Sequence, residues 1–154
     1  MAQPSFGSLA IEQIPDPDFA DVTIGVLPAH ATADPAAWAR SLFSFQTMPK
    51  WVLLALLARQ VLAPLMGVPR APKDVFAVRC VEGEEALVAF DDRHLDFRVG
   101  VGVDELHNLV RVTTTVRLKG WRGRVYFWPV RFGHPIVVRS MLRRSQKVLS
   151  GVTR

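Results

Sequence analysis

Apolar and polar side chains alternate along the middle of the chain, which predicts antiparallel strands there. The clearest run is 94–103, where every odd position is Leu, Phe or Val and every even one is polar or glycine. A side-chain period of two is typical of a strand with one buried face. The same reasoning predicts strands at 21–27, 75–81, 85–90, 108–118 and 122–130.

A helical period of three to four residues replaces this alternation in three places. Asp34 followed by Pro35 predicts a helix start, because Asp caps a first turn and proline fits its first position. The run 51–66 is apolar nearly all round. As a helix it would be about 24 Å long, against a hydrocarbon core of about 30 Å, so it is too short to cross a membrane. The last helix is predicted to begin near His134-Pro135.

This order of elements predicts an α+β fold. We expect a curved antiparallel sheet of about six or seven strands, wrapped on a long C-terminal helix, with two shorter helices after the first strand. A chain of 154 residues fits one domain, 1–154, in which 1–20 would be an irregular lead-in.

Several function classes find no support in the composition. Cys80 is the single cysteine, so no internal disulfide can form. The four histidines have no metal-ligand spacing, and Gly100-Val101-Gly102 lacks the third glycine of a dinucleotide-binding turn. We therefore predict neither a metal nor a cofactor. The N-terminus lacks a basic region and an apolar core, which predicts a cytoplasmic protein without a signal peptide.

Charge is distributed unevenly. Residues 1–77 carry five Lys/Arg against six Asp/Glu, whereas 78–154 carry fourteen against eight, and no acidic residue follows Glu105. In the last helix, cations fall at Arg139, Arg143, Arg144 and Lys147. They could meet an anionic partner, such as a phospholipid surface, or form a solvated helix face that complements the helix dipole.

One face of the predicted sheet carries large apolar side chains that could line a ligand cavity beneath the last helix. We expect this cavity to hold a small apolar or amphipathic molecule. Its predicted lining consists of Phe90, Leu95, Phe97, Phe127, Met141 and Leu142.

His94 and Asp96 are the candidate catalytic residues, because residues two apart in a strand share a face and a carboxylate raises histidine basicity. A cyclase- or hydratase-like enzyme could use them as acid and base. The alternative is a network of Asp96 with Arg98, Arg111 or Arg124 on the sheet's outer face. Because Leu95 and Phe97 should face the cavity, the sequence favours this network and leans against an enzyme, although the question stays open.

Two segments leave a choice of partner. The apolar run 51–66 could be buried within the molecule, form a homodimer or lie on a membrane surface. Tyr126 and Trp128 alternate with arginines, a pattern that can stack nucleic-acid bases but more often places aromatic rings in a core. The sequence favours the core.

Three stretches resemble a bacterial family of unknown function, domain of unknown function 2867. They are PKWVLLALLARQVLAPLMG, DDRHLDFRV and TTTVRLKGWRGRVYFWPVRFGHPIVVRSMLRR, and together they cover roughly Trp38 to Arg144. The element order resembles the helix-grip fold of the START and birch-pollen-allergen-like (SRPBCC) superfamily, which includes lipid carriers and polyketide cyclases. Domain of unknown function 2867 usually reads close to Pro-Phe-His-Arg where this chain has Phe132-Gly133-His134-Pro135. The resemblance implies a ligand cavity but carries over no catalytic residue.

Overall fold

The computed structural model describes residues 7–62 and 74–151. Within these ranges the chain forms four helices and five strands. They are α1 (Leu9–Gln13), β1 (Phe19–Val26), α2 (Pro35–Leu42), α3 (Lys50–Leu62), β2 (Val78–Glu82), β3 (Glu85–Asp91), β4 (Leu95–Asp104), β5 (Leu109–Leu118) and α4 (Gly120–Leu149).

The strands of the described chain form one antiparallel sheet in the order β1-β5-β4-β3-β2. Strands β2 to β5 follow one another as a meander, and β1 closes the sheet by pairing with β5, so that Phe19 lies opposite Val116. Gly83 turns the chain between β2 and β3 with a φ of 56°, which favours glycine. The predicted turn between these two strands is confirmed.

Helices cover the two faces of the sheet unequally. The helix face carries the odd-numbered residues 95–103 of β4 and packs against α2 and the C-terminal part of α4. Its buried cluster includes Val101, Val110, Trp38 and Leu142. On the other face, which we call the α1 face, the hydroxyl of Thr115 donates a 2.8 Å hydrogen bond to the carbonyl oxygen of Ala10 in α1. The main core therefore lies on the helix face.

Helix α2 begins as predicted. The carboxylate of Asp34 accepts a 3.0 Å hydrogen bond from the amide of Ala36, and Pro35 is the first helical residue. The indole nitrogen of Trp38, which is fully buried, donates to the carbonyl oxygen of Thr32 at 2.8 Å. This second bond ties the preceding loop to the helix.

The predicted strand 122–130 is wrong, because these residues form the first part of α4. The described sheet accordingly has five strands rather than six or seven. Gly123 and Phe127, four positions apart, are buried, whereas Val125 between them is 65% exposed. That spacing is helical. The helix thus begins at Gly120, fourteen residues before the predicted start at His134.

The N-terminal lead-in and the apolar run 51–66 also differ from expectation. The lead-in 1–20 contains α1, whose first turn is capped by the hydroxyl of Ser8. Helix α3 covers the first part of 51–66, and residues 63–66 lie outside the described ranges. In its described part this run is buried on one side only, where Leu53 and Leu56 pack against the core. The expected burial on most faces is wrong, because four large side chains stay more than half exposed: Trp51, Leu54, Leu57 and Val61.

Candidate functional site

Helix α4 follows the edge strand β1 across the helix face. Near its start, the ring of Phe127 meets that of Phe19 edge-to-face, with 5.1 Å between ring centroids. Near its end, the side-chain amide of Gln146 donates a 2.7 Å hydrogen bond to the carbonyl oxygen of Val26. Gly25 permits this approach, since a Cβ atom there would lie 2.9 Å from Leu142. The space between β1 and α4 forms one side of the candidate site.

A carboxylate and an imidazole meet in this space. The Nδ1 atom of His134 lies 3.5 Å from an Oδ atom of Asp21, and about four fifths of each side chain is buried. The ring of Phe19 packs edge-to-face on the imidazole at 5.4 Å. Asp21 also accepts a long, 3.5 Å hydrogen bond from the hydroxyl of Thr23. Together they form a small polar site inside an otherwise apolar interface.

Burial affects the protonation of His134. Loss of solvent lowers the pKa of His134 below its ordinary value of 6.5, and the carboxylate of Asp21 opposes that shift. A neutral imidazole has one donor and one acceptor nitrogen, so it can hold a hydroxyl or carbonyl group or exchange a proton with one. The geometry therefore suits a polar group on a mainly apolar ligand.

A row of four phenylalanines lies on the part of the helix face formed by β3 and β4. Phe43 stacks on Phe76 at 4.7 Å, Phe76 lies 6.2 Å from Phe97, and Phe97 lies 5.7 Å from Phe90. All four rings are only half-buried, unlike the valines farther along β4. This end of the face is consequently apolar and partly open among the described residues.

The structure places the predicted cavity residues on the helix face but separates them into three groups. Phe90, Leu95 and Phe97 are half-buried at the open end. Met141 and Leu142 are buried in the core, where they leave little room for a ligand. Phe127 is buried against Phe19. Of these six residues, only the first group is accessible enough to meet a ligand.

His94 and Asp96 are not paired with each other. Asp96 accepts a 2.5 Å hydrogen bond from the ammonium group of Lys119, and the backbone carbonyl of His94 accepts from the amide of the same lysine. Arg98 instead binds Asp91 at 2.6 Å, and its hydrogen bonds lower the pKa of that carboxyl. Asp96 is thus held in a salt bridge, as expected, but its predicted partners are wrong: Lys119 binds it, whereas Arg98 pairs with Asp91 and Arg111 with Glu85.

All four predicted anion-binding residues are exposed on α4: Arg139, Arg143, Arg144 and Lys147. The guanidinium of Arg144 also donates a 3.2 Å hydrogen bond to the carbonyl oxygen of Met48. The four cations, with Ile136 and Ser140, line a shallow groove of about 450 Å³.

Sequence reasoning missed the pair Asp21 and His134. Its signal was present: Asp21 alternates with Phe19 and Thr23 on the buried side of β1, and His134 follows Phe127 by seven residues along the buried stripe of α4. An ionisable residue in each apolar row is unusual and points to a partner. Because residues 122–130 were predicted as a strand, the helical spacing of Phe127 and His134 was not recognised.

A second polar cluster lies on the α1 face. The buried carboxylate of Glu85 accepts hydrogen bonds from the hydroxyl of Ser8 at 2.6 Å and from Arg111 at 3.2 Å. Gly100 leaves room for that carboxylate, and Gly102 lies beside the guanidinium. An open pocket of about 570 Å³ adjoins the cluster. Since the two charges satisfy each other, the cluster primarily anchors α1 to the sheet.

Comparison with known proteins assigns the chain to a family. A family model described as a protein of unknown function (DUF2867) matches residues 13–141. The chain belongs to the DUF2867 family. No curated protein and no solved structure matches it. Among the described residues of this DUF2867 protein, no three His, Cys, Asp or Glu side chains are placed to hold a metal, and no helix is long and apolar enough to cross a bilayer.

Proposed function

We propose that this DUF2867 protein binds a small apolar or amphipathic molecule on the helix face, between the phenylalanine row and the first half of α4. The observation that carries the proposal is the row itself: four contacting rings, from Phe43 to Phe90, that remain half-buried. Burying such rings under a ligand is favourable at roughly 25 cal/mol per Å² of apolar area.

The polar pair supports an amphipathic ligand over a purely apolar one. His134 and Asp21 lie on the same face, beside Phe19 and Phe127. A ligand whose apolar body covers the phenylalanines could place a hydroxyl, carbonyl or carboxyl group near the imidazole. The resemblance to the helix-grip superfamily favours the same location, because its members bind ligands between sheet and C-terminal helix.

Native mass spectrometry of protein expressed in a bacterial host tests the proposal, followed by titration with medium-chain fatty acids and aromatic polyketides. We expect Phe97→Leu to weaken binding about tenfold by changing ring contacts while keeping the site apolar. Phe45→Leu is the matched control, because Phe45 is 83% exposed. Equal affinities for both variants, or no bound compound in any titration, would contradict ligand binding at this face.

A second candidate function is a cyclase- or hydratase-like reaction on the bound molecule. The pair Asp21 and His134 suits acid–base chemistry better than His94 and Asp96, because Lys119 already occupies Asp96. To test this reaction, each compound that binds is incubated with the protein, and its conversion is followed by mass spectrometry. Conversion that is lost in His134→Gln and kept in His94→Gln would support this reaction, whereas the reverse result would favour the original pair.

A homodimer through 51–66 remains a proposal, supported by the exposed apolar side chains of α3. Sedimentation velocity of the wild type and of Leu54→Gln tests it. A dimer that dissociates in this variant would support the contact, and a monomer in both proteins would exclude it.

A further inference from the structure

The solvent side of α4 carries one continuous stripe that the proposed ligand site does not use. Its first part is apolar and its second part is cationic, with neighbouring members three or four residues apart. We call it the outer stripe: Trp121, Val125, Trp128, Phe132, Ile136, Arg139, Arg143 and Lys147. Side chains at this spacing lie above one another on a helix, so they share a single face.

The apolar part of the outer stripe is strongly exposed. Each of its five side chains, from Trp121 to Ile136, is more than 60% accessible. The rings of Trp128 and Phe132 touch edge-to-face at 5.5 Å, which makes a continuous aromatic surface. Contiguous apolar surface of this kind marks an interaction site, whereas single exposed apolar residues do not.

Charge identifies the class of partner. Helix α4 contains seven Lys/Arg and no Asp or Glu. The guanidinium groups of Arg122 and Arg131 lie 5.5 Å from the rings of Trp121 and Phe132, so cations also border the aromatic part. A second copy docking through this helix would bring two cationic surfaces together without a carboxylate from either. An anionic surface is the complementary partner.

We propose that the outer stripe docks on the surface of a bilayer that contains anionic phospholipid. Trp121, Trp128 and Phe132 would enter the boundary between headgroups and acyl chains, where aromatic rings are favoured. The groove formed by Arg139, Arg143, Arg144 and Lys147 would face the phosphates. The 30-residue helix, about 45 Å long, lies flat on the membrane in this arrangement.

Vesicle sedimentation tests the proposal with the full chain. One set of vesicles contains phosphatidylcholine alone and the other contains about 30% phosphatidylglycerol. We expect binding to the anionic set at low salt, accompanied by a blue shift of tryptophan fluorescence. Raising the salt should weaken binding steeply, because the screening length falls to about 3 Å at 1 M.

Two variants separate the parts of the stripe. Arg139→Gln with Arg143→Gln should weaken binding about 30-fold, because each arginine near an anionic surface strengthens binding about five- to sixfold. Trp128→Gln with Phe132→Gln should weaken it at least tenfold and reduce the blue shift. The matched controls are Arg117→Gln, an exposed cation on β5, and Ile24→Thr, an exposed apolar residue on β1. Both should bind like the wild type.

Several results would overturn the proposal. These are no binding at low salt, equal binding to neutral vesicles, or a loss of binding in the controls as large as in the stripe variants. A dimer that Trp128→Gln dissociates would assign the stripe to a second copy instead. The result is independent of the proposed ligand site, because that site is tested in solution without vesicles and through Phe97, which is not in the stripe.

Discussion

The two halves of α4 are parts of one helix but differ in what they contact. In the C-terminal half, Val138, Met141, Leu142 and Ser145 are buried against the sheet and α2. In the N-terminal half, the buried residues are Gly123 and Phe127, and the aromatic side chains between and after them face solvent. The first half is therefore free to bind something else, whereas the second half holds the fold together.

The sharpest test of this difference truncates one aliphatic side chain in each half. Leu142→Ala should lower the free energy of unfolding by about 2–5 kcal/mol, because it leaves a cavity in a packed core. Val125→Ala should change it by less than about 0.5 kcal/mol, because Val125 is 65% exposed. Urea titration measures both. Similar losses would mean that the N-terminal half is packed as tightly as the C-terminal half.

The next largest effect concerns Pro129, which lies inside α4. Proline lacks the amide hydrogen that a helix interior uses and costs up to about 3 kcal/mol relative to alanine. We expect Pro129→Ala to raise the unfolding free energy and the helical circular dichroism signal. A decrease in either would mean that Pro129 stabilises this part of α4 instead of opposing it.

A pair of glycines probes how the exposed half is attached. A Cβ atom at Gly123 would overlap the backbone carbonyl oxygen of His94, whereas none would meet a neighbour at Gly133. Gly123→Ala should therefore destabilise the protein by about 1–3 kcal/mol. Gly133→Ala should stabilise it by about 0.5–1 kcal/mol through helix propensity. If Gly123→Ala leaves the stability unchanged, α4 does not approach the backbone of His94, just before β4, this closely.

The smallest effect is the pH dependence contributed by His134, where the two halves meet. Its pKa is lowered in the folded protein, so the unfolded chain binds the proton more tightly. The stability that this residue contributes is complete above pH 6.5, the ordinary value, and is lost as the pH falls toward the lower folded pKa. The slope cannot exceed about 1.4 kcal/mol per pH unit for one proton.

Unfolding titrations from about pH 7.5 to about pH 5, roughly the range in which a histidine side chain takes up its proton, check this dependence. His134→Gln should flatten the slope. His30→Asn is the control, because His30 is exposed and has a φ of 67°, a conformation that asparagine tolerates. A slope that His30→Asn changes as much as His134→Gln would remove the assignment to the buried pair.

Local patterns were sufficient for three of the five described strands and for one helix start. Strands β3, β4 and β5 lie within one residue of the predicted bounds, because successive side chains of a strand point to opposite faces and those facing the main core are mostly apolar. The cap at Asp34 was also predictable, since a carboxylate followed by proline satisfies the first turn from within the sequence. These features depend on neighbouring residues alone.

Tertiary structure decided the first half of α4 and the candidate site. Aromatic and β-branched residues favour strands only weakly, so the packing of Gly123 on the His94 carbonyl and of Phe127 on Phe19 determines that this segment is a helix. The meeting of Asp21 with His134 joins residues more than 100 positions apart. The sequence determined which side chains alternate and which turns can form, but only the docking of α4 along β1 decided which of them meet, because that contact depends on the path of the whole chain.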